Sequence, residues 1–195
     1  MEGMDFILGV MGKVERHRFI PSQDRQEAQL DTALGIGHGQ TISQPTVVAH
    51  MTEALKPGPE DRILEIGTGC GYQTAILAEI VREVYTIEIL EPLASGAREL
   101  LEELNYDNIQ FRMDDGYGGW PEAAPFDKII VTAAPPEVPQ PLLDQLRPGG
   151  RMTIPVGRLS QKLLLIENTP EGFHEETIFP VRFVPMTGAA QSDQF

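Results

Sequence analysis

The stretch Ile63-Leu64-Glu65-Ile66-Gly67-Thr68-Gly69-Cys70-Gly71-Tyr72 decides the fold. A short apolar run meets three alternate glycines, and Gln73-Thr74-Ala75-Ile76-Leu77-Ala78 continues with helical character. Strand, glycine turn and helix open a nucleotide-binding βαβ unit. Glycines belong in such a turn because its dihedrals are unusual and its backbone must come close to a ligand.

Glycine spacing separates two cofactors. A dinucleotide fingerprint runs G-x-G-x-x-G, with the pyrophosphate at the helix N-terminus. Here the glycines are Gly67, Gly69 and Gly71, a tighter G-x-G-x-G. That form resembles the first motif of S-adenosylmethionine-dependent methyltransferases and speaks against a nicotinamide dehydrogenase.

Working outward, Val84-Tyr85-Thr86-Ile87-Glu88 reads as a strand ending in a carboxylate, 17 positions beyond Gly71. That is close to the ~20 expected of an acid that accepts from ribose hydroxyls. Residues 92–104 read as a helix, and Asn108–Arg112 as a third strand running into the acidic glycine loop Met113–Trp120. In that loop Asp115 is a candidate acceptor for an adenine amino group. Phe126–Thr132 is a fourth strand, with Ala133-Ala134-Pro135-Pro136 at its C-terminal end, the edge where open α/β sheets bind ligands. Residues 139–147 predict a short helix; residues 151–156, 162–167 and 177–185 predict the last strands. Prolines 180 and 185 mark the last of these as an edge or interrupted strand.

Upstream, Ser22-Gln23-Asp24 predicts a helix start running through Leu30, and Gly35–Gln40 is too glycine-rich for regular structure. Pro45 suits a first helical position, and Val47, Val48, Met51, Ala54 and Leu55 recur on one face, until Lys56-Pro57-Gly58 ends that helix. Ser43 stands just before it. Two readings stay open: a capping hydroxyl, or part of an anion site in which free N–H groups and the helix dipole hold a carboxylate. The whole predicts an α/β fold: a mostly parallel sheet covered by helices on both faces.

Composition narrows the function. At 195 residues one domain is expected, with residues 1–44 as a substrate-side cap, 45–160 as the cofactor-binding core and 161–195 as C-terminal strands. A net charge of −14 argues against nucleic acid and against long-range capture of anions. The single Cys70 fits a reducing, cytoplasmic setting. No segment approaches the ~18 apolar residues of a membrane span, and Glu2 and Asp5 do not suit a secretory signal. The four histidines are scattered, so no metal is expected.

Several segments together resemble the protein-L-isoaspartate (D-aspartate) O-methyltransferase family: Gly37–Pro45, Leu64–Gly69, Pro125–Pro136 and Val181–Pro185, within a similarity running from Phe19 to Thr187. The resemblance implies a Rossmann-like, seven-stranded S-adenosylmethionine-dependent methyltransferase, a monomer, that esterifies the carboxylate of isoaspartyl residues in damaged proteins. It implies that Ser43 is the catalytic residue. Thr41, Ser43, Thr132, Ala133, Ala134, Pro135, Arg182 and Val184 would hold the substrate. Glu65, Gly67, Thr68, Gly69, Gly71, Tyr72, Glu88, Asp115, Gly116 and Thr132 would hold S-adenosylmethionine.

Three departures stand out: Cys70 for the usual serine, Asp114 for the usual glycine, where added charge could weaken cofactor binding, and a short, poorly matching region before Arg16. The acceptor is already ionised at pH 7, its reference pKa being ~4, so no general base is needed. With no histidine in evident relay with Ser43, orientation rather than covalency is the expected role. Residues Arg182–Pro185 offer a candidate edge for pairing with an extended peptide. The rival readings are a small-molecule methyltransferase on the same scaffold and a catalytically weakened cofactor-binding protein.

Overall fold

The computed structural model describes residues 3–191; Glu2 and the outer domain limits, residues 1 and 195, lie outside the described residues. The chain runs through α1 (Gly3–Met11), β1 (Leu34–Gly37), β2 (Gln40–Ile42), α2 (Pro45–Leu55), β3 (Arg62–Ile66), α3 (Tyr72–Ala78), β4 (Glu83–Glu88), α4 (Glu91–Glu103) and β5 (Ile109–Met113). It continues through β6 (Phe126–Val131), α5 (Gln140–Asp144), β7 (Leu146–Val156), β8 (Gln161–Thr169) and β9 (Gly172–Val181). The main sheet has seven strands in the order β5-β4-β3-β6-β7-β8-β9. Strands β3 to β7 are parallel, and β8 and β9 return antiparallel.

Burial on both faces explains the apolar runs. In β3, Ile63 packs into one layer and Leu64 and Ile66 into the other. The Ile63 layer holds Leu55 of α2, Ile76 of α3 and Leu101 of α4; the Leu64 layer holds Leu142 of α5 and Met186. Strand order reverses at β3, which pairs with β4 on one side and β6 on the other. The C-terminal ends of these strands therefore splay around a crevice, the switch point where such sheets take ligands.

Four expectations change. Residues 22–30 do not form an α-helix: only Ser22–Glu27 turn, as a 3-10 segment. The glycine-rich 35–40 stretch is regular after all, because β1 and β2 form an antiparallel hairpin around His38 and Gly39. Both turn residues have positive φ, 54° and 74°, as a two-residue type I′ hairpin requires. Glycine there signalled a turn, not disorder. The last strand starts at Gly172 and ends at Val181, so residues 182–185 lie beyond it. Finally, the region before Arg16 carries α1, whose Ile7 and Val10 are buried in the core. Among the described residues no helix is long and apolar enough to cross a membrane.

Candidate active site

The glycine turn is braced from two neighbouring strand ends. Gly67 N–H donates to Ile87 O at 2.8 Å, and Thr68 N–H to the same oxygen at 3.2 Å. Thr132 Oγ1 lies 2.7 Å from Gly67 O and 3.0 Å from Ile66 O, so its one proton is committed to the turn. A Cβ on Gly67, at φ +93°, would collide with that hydroxyl. Gly71, at φ +88°, opens α3, and a Cβ there would sit 2.9 Å from Leu101 Cδ1. The turn thus keeps its shape only with glycines.

Glu88 ends β4 with its carboxylate folded back on the backbone. Gly69 N–H donates to Oε2 at 2.9 Å, while the Ile89 and Leu90 N–H groups each donate to Oε1 at 3.0 Å. Oε1 is saturated, and Oε2 retains room for one more donor. Ile66, Ile87, Ile89, Leu90 and Gly116 line the same end of the cleft.

Glu65 behaves differently. It points to the opposite face of β3, is fully buried, and accepts from Thr74 Oγ1 at 2.5 Å and Thr86 Oγ1 at 2.7 Å, both on Oε2. Oε1 has no partner. Burial pushes this carboxyl up to about 7, against the pull of the two threonine hydroxyls. Glu65 is a polar tie between β3, α3 and β4 and does not line the cleft, contrary to the cofactor contact expected of it.

On the acceptor side, Ser43 sits between β2 and α2. Its carbonyl accepts from Arg16 Nη2 at 3.1 Å, and its hydroxyl has no partner among the described residues. Ser43 is not the cap of α2. The cap position is Gln44, without a side-chain cap bond. Asp31 reaches in from before β1, accepting from Thr46 N–H and Gln44 Nε2 at 2.9 Å each and from Thr46 Oγ1 at 2.6 Å. Those bonds, the Thr46 hydroxyl foremost, hold the Asp31 carboxyl below its usual range. Val47 N–H and Val48 N–H both donate to Gln44 O. The anion at this helix end is therefore Asp31 itself, and the N–H groups expected to receive a substrate are occupied. The hydroxyls of Ser43 and Thr41, in the cleft wall, have no bonded partner among the described residues.

One open cleft, about 920 Å³ of empty space with the solvent at its mouth included, joins these parts. Thr41, Ser43, Gly67, Thr68, Gly69, Tyr72, Glu88, Gly116, Thr132, Ala133 and Val184 all line it. Ala134, Pro135, Gly71, Asp115 and Arg182 stand outside its wall, for reasons the bonding shows for four of them. Ala134 N–H donates to Val184 O and Met186 N–H to Ala134 O, both at 2.8 Å, while Pro135 O accepts from Gly157 N–H at 2.9 Å. Gly71 is turned onto Leu101. Asp115 accepts from Tyr117 N–H at 2.9 Å and from Ala189 N–H at 2.6 Å, tying the C-terminal turn over the loop. Nothing in the structure explains Arg182 as a substrate contact. The proposed pairing edge is also occupied: Gln161 donates to Phe183 O at 3.1 Å and accepts from Phe183 N–H at 2.6 Å.

Asp114 is exposed and outside the wall, its carboxylate accepting from Asp115 N–H at 2.8 Å, so its charge faces solvent. Cys70 lines the cleft, and burial pushes its thiol up to about 11, which keeps it protonated and poorly nucleophilic. Met51, Gln73 and Met186 also line the cleft; the sequence placed Met51 on an apolar helix face and Gln73 in the helix after the glycine turn, and the family resemblance put Met186 at the end of the 182–186 segment expected to hold substrate backbone. Gln73 follows the glycine turn directly and was within reach of the motif; Gln73 Nε2 donates to Thr52 Oγ1 at 3.0 Å. Arg16 and Asp31 carried no periodic or motif signal, because their partners lie up to 27 positions away.

The family model "Protein-L-isoaspartate(D-aspartate) O-methyltransferase (PCMT)" matches residues 2–191, extending into the region before Arg16 that had looked divergent. Protein-L-isoaspartate O-methyltransferase 1 of Nitrosospira multiformis is 56% identical over 185 residues, covering 93% of this chain and 78% of that one. Protein-L-isoaspartate O-methyltransferase 2 of Syntrophobacter fumaroxidans is 55% identical over 185 residues, covering 93% and 75%. A crystal structure from Plasmodium falciparum, described as a putative protein-L-isoaspartate O-methyltransferase in complex with S-adenosyl-L-homocysteine, superposes with a TM-score of 0.80 at 26% identity, covering 93% of this chain and 89% of that one.

Proposed function

The chain belongs to the protein-L-isoaspartate (D-aspartate) O-methyltransferase family, and we propose that its cleft methylates the free carboxylate of L-isoaspartyl and D-aspartyl residues, the step that begins repair of damaged proteins. The observation that carries this reading is the meeting of an unbonded Ser43 hydroxyl and a braced glycine turn in one cleft.

The donor set fits S-adenosylmethionine, which supplies a methyl group already activated on a sulfonium. Glu88 Oε2 has capacity left for a ribose hydroxyl, and Ile87, Ile89 and Leu90 offer apolar surface for a flat base. Gly67 and Gly69 leave the turn open to the amino-acid end, with Thr68 and Tyr72 beside it. Thr132 serves as a brace for the turn rather than as a ligand donor.

The acceptor oxygen needs no deprotonation, since a carboxyl of reference pKa ~4 is ionised at pH 7. It needs orientation and replacement of its lost water. The Ser43 hydroxyl donates to one carboxylate oxygen and leaves the other to react, with Thr41 beside it. Ile42, Val48, Met51 and Ala133 keep that end of the cleft dry. Ser43 has no base among its bonded neighbours, so a covalent role has no support.

Substrates are isoaspartyl-containing proteins and peptides. We take the protein to be a single-domain cytoplasmic monomer that binds neither nucleic acid nor membrane, on the strength of its charge of −14 and single cysteine. The decisive experiment is transfer of labelled methyl from S-adenosylmethionine to an isoaspartyl peptide and to its normal aspartyl twin. Label in the first alone is expected. Equal labelling of both, or of neither while S-adenosylhomocysteine still binds, overturns the reading.

A further inference from the structure

Arg16 is a buried cation that, among the described residues, no carboxylate contacts. The residue is 6% exposed, and among the described residues it forms no ion pair. Arg18, Arg62, Arg112, Arg147 and Arg151 all pair with carboxylates. Arg16 instead meets main-chain carbonyls: Nη1 donates to Ala28 O at 2.9 Å and Leu30 O at 3.5 Å, and Nη2 to Thr32 O at 2.9 Å and Ser43 O at 3.1 Å. Its Nε has no partner among the described residues. Asp31 lies in the same loop yet spends its carboxylate on the start of α2.

A charge left this way is costly, and its field persists because neutral carbonyls compensate only part of it. Its place gives that field a target. Arg16 bonds to the carbonyl of Ser43, and the ionisable groups within its electrostatic reach are Tyr72, Cys70 and Asp31. Tyr72 and Cys70 line the cleft with Ser43, and both stay neutral at pH 7 because burial raises them. Elsewhere the chain's −14 disfavours a bound carboxylate. The one acid in the cleft wall, Glu88, is held by three backbone N–H groups at the other end.

We infer that Arg16 is a positioning residue for the acceptor: it fixes Ser43 through that residue's carbonyl and supplies the positive potential that keeps the acceptor carboxylate ionised inside the cleft. This deepens the carboxyl-methylation reading and rests on it. Position and charge are separable, because lysine keeps the charge but cannot span several carbonyls as guanidinium does.

The test measures single-turnover methyl transfer to a saturating isoaspartyl peptide, from about pH 4 to 8, for wild type, Arg16→Gln and Arg16→Lys. With peptide bound, the acid limb reports ionisation of the acceptor. Arg16→Gln is expected to move that limb up by about one pH unit, a tenfold loss of rate on the acid side. Arg16→Lys should keep the limb in place, lower the plateau, and hold the peptide KM within about threefold of wild type. Calorimetry with S-adenosylhomocysteine should give unchanged affinity for both variants. Equal loss of plateau in both with an unmoved limb would reduce Arg16 to scaffold and overturn the inference. If Arg16→Gln fails to bind S-adenosylhomocysteine, Arg16→Lys decides: a displaced limb or a tenfold higher peptide KM overturns it. Wild type that binds S-adenosylhomocysteine but methylates no isoaspartyl peptide sinks the functional reading, not the role of Arg16.

Discussion

The two halves of the cleft are built by opposite means. The cofactor half comes from strand ends consecutive in a parallel sheet, and the backbone of β3, β4 and β6 holds its shape. The acceptor half is an arm, residues 28–44, with little core of its own, in which the two-stranded sheet is β1 and β2. Two side chains tie it down: Arg16 from beneath, through four carbonyls, and Asp31 from the side, onto α2. The contrast teaches that one half is rigid because its neighbours are backbone. The other is rigid only while a few polar side chains stay in place.

That contrast can be broken most severely at Gly67. Gly67→Ala puts a methyl against Thr132 Oγ1 at φ +93°, adding strain of about 3 kcal/mol. Affinity for S-adenosylhomocysteine and methyl transfer should fall together, each by more than about 100-fold. Intact cofactor affinity would show that the turn is less tightly held than its bonding implies.

Glu65 probes the core behind the turn. Its carboxyl is raised from 4.5 to about 7 in the fold. The folded state therefore binds the extra proton between those values, and the stabilising contribution is present below about 4.5 and lost as pH rises through about 7. Wild type should lose on the order of 3 kcal/mol relative to Glu65→Gln between about pH 4.5 and pH 8. Parallel stability curves in denaturant titrations would refute the buried, protonated state.

Ser43→Ala acts on the other half alone. Removing this hydroxyl should cost roughly 100-fold in methyl transfer, with S-adenosylhomocysteine affinity unchanged in calorimetry. A matching loss of cofactor affinity would mean the halves are not separable. The smallest effect is expected at Asp31. Asp31→Ala should raise the peptide KM by less than about tenfold and leave kcat and cofactor affinity alone. Steady-state assays over a range of peptide concentrations would reveal a kcat effect and so contradict the assignment.

Much of the cofactor half was legible because its signals are local. The apolar run before Gly67, the alternate glycines and the terminal Glu88 each report on neighbours within a few positions. Even there Glu65 was misread. A residue inside the glycine motif looks like a ligand contact, yet period-two alternation turns it to the face away from Leu64 and Ile66, onto Thr74 and Thr86. In the acceptor half, the place of Ser43 before a helix left a cap and an anion site both open, and only the family likeness singled out Thr41 beside it. The hairpin went unseen because glycines that permit positive φ look the same in a tight turn and in an irregular loop. Residues Arg182–Pro185 fall beyond the last strand and have no free edge, since Ala134 and Gln161 already take their backbone groups.

The amino-acid sequence by itself determined the parallel sheet, the glycine turn, the kind of cofactor and the candidate status of Ser43, because each follows from spacing along the chain. Only the tertiary structure decided that Asp31 occupies the helix end beside Ser43, that the Thr132 hydroxyl bonds to the glycine turn, and that Arg16 meets carbonyls and, among the described residues, no ion-pair partner. Those are outcomes of burial and of partners brought together across 12 to 66 positions, and distance along a chain does not encode which polar group reaches another first.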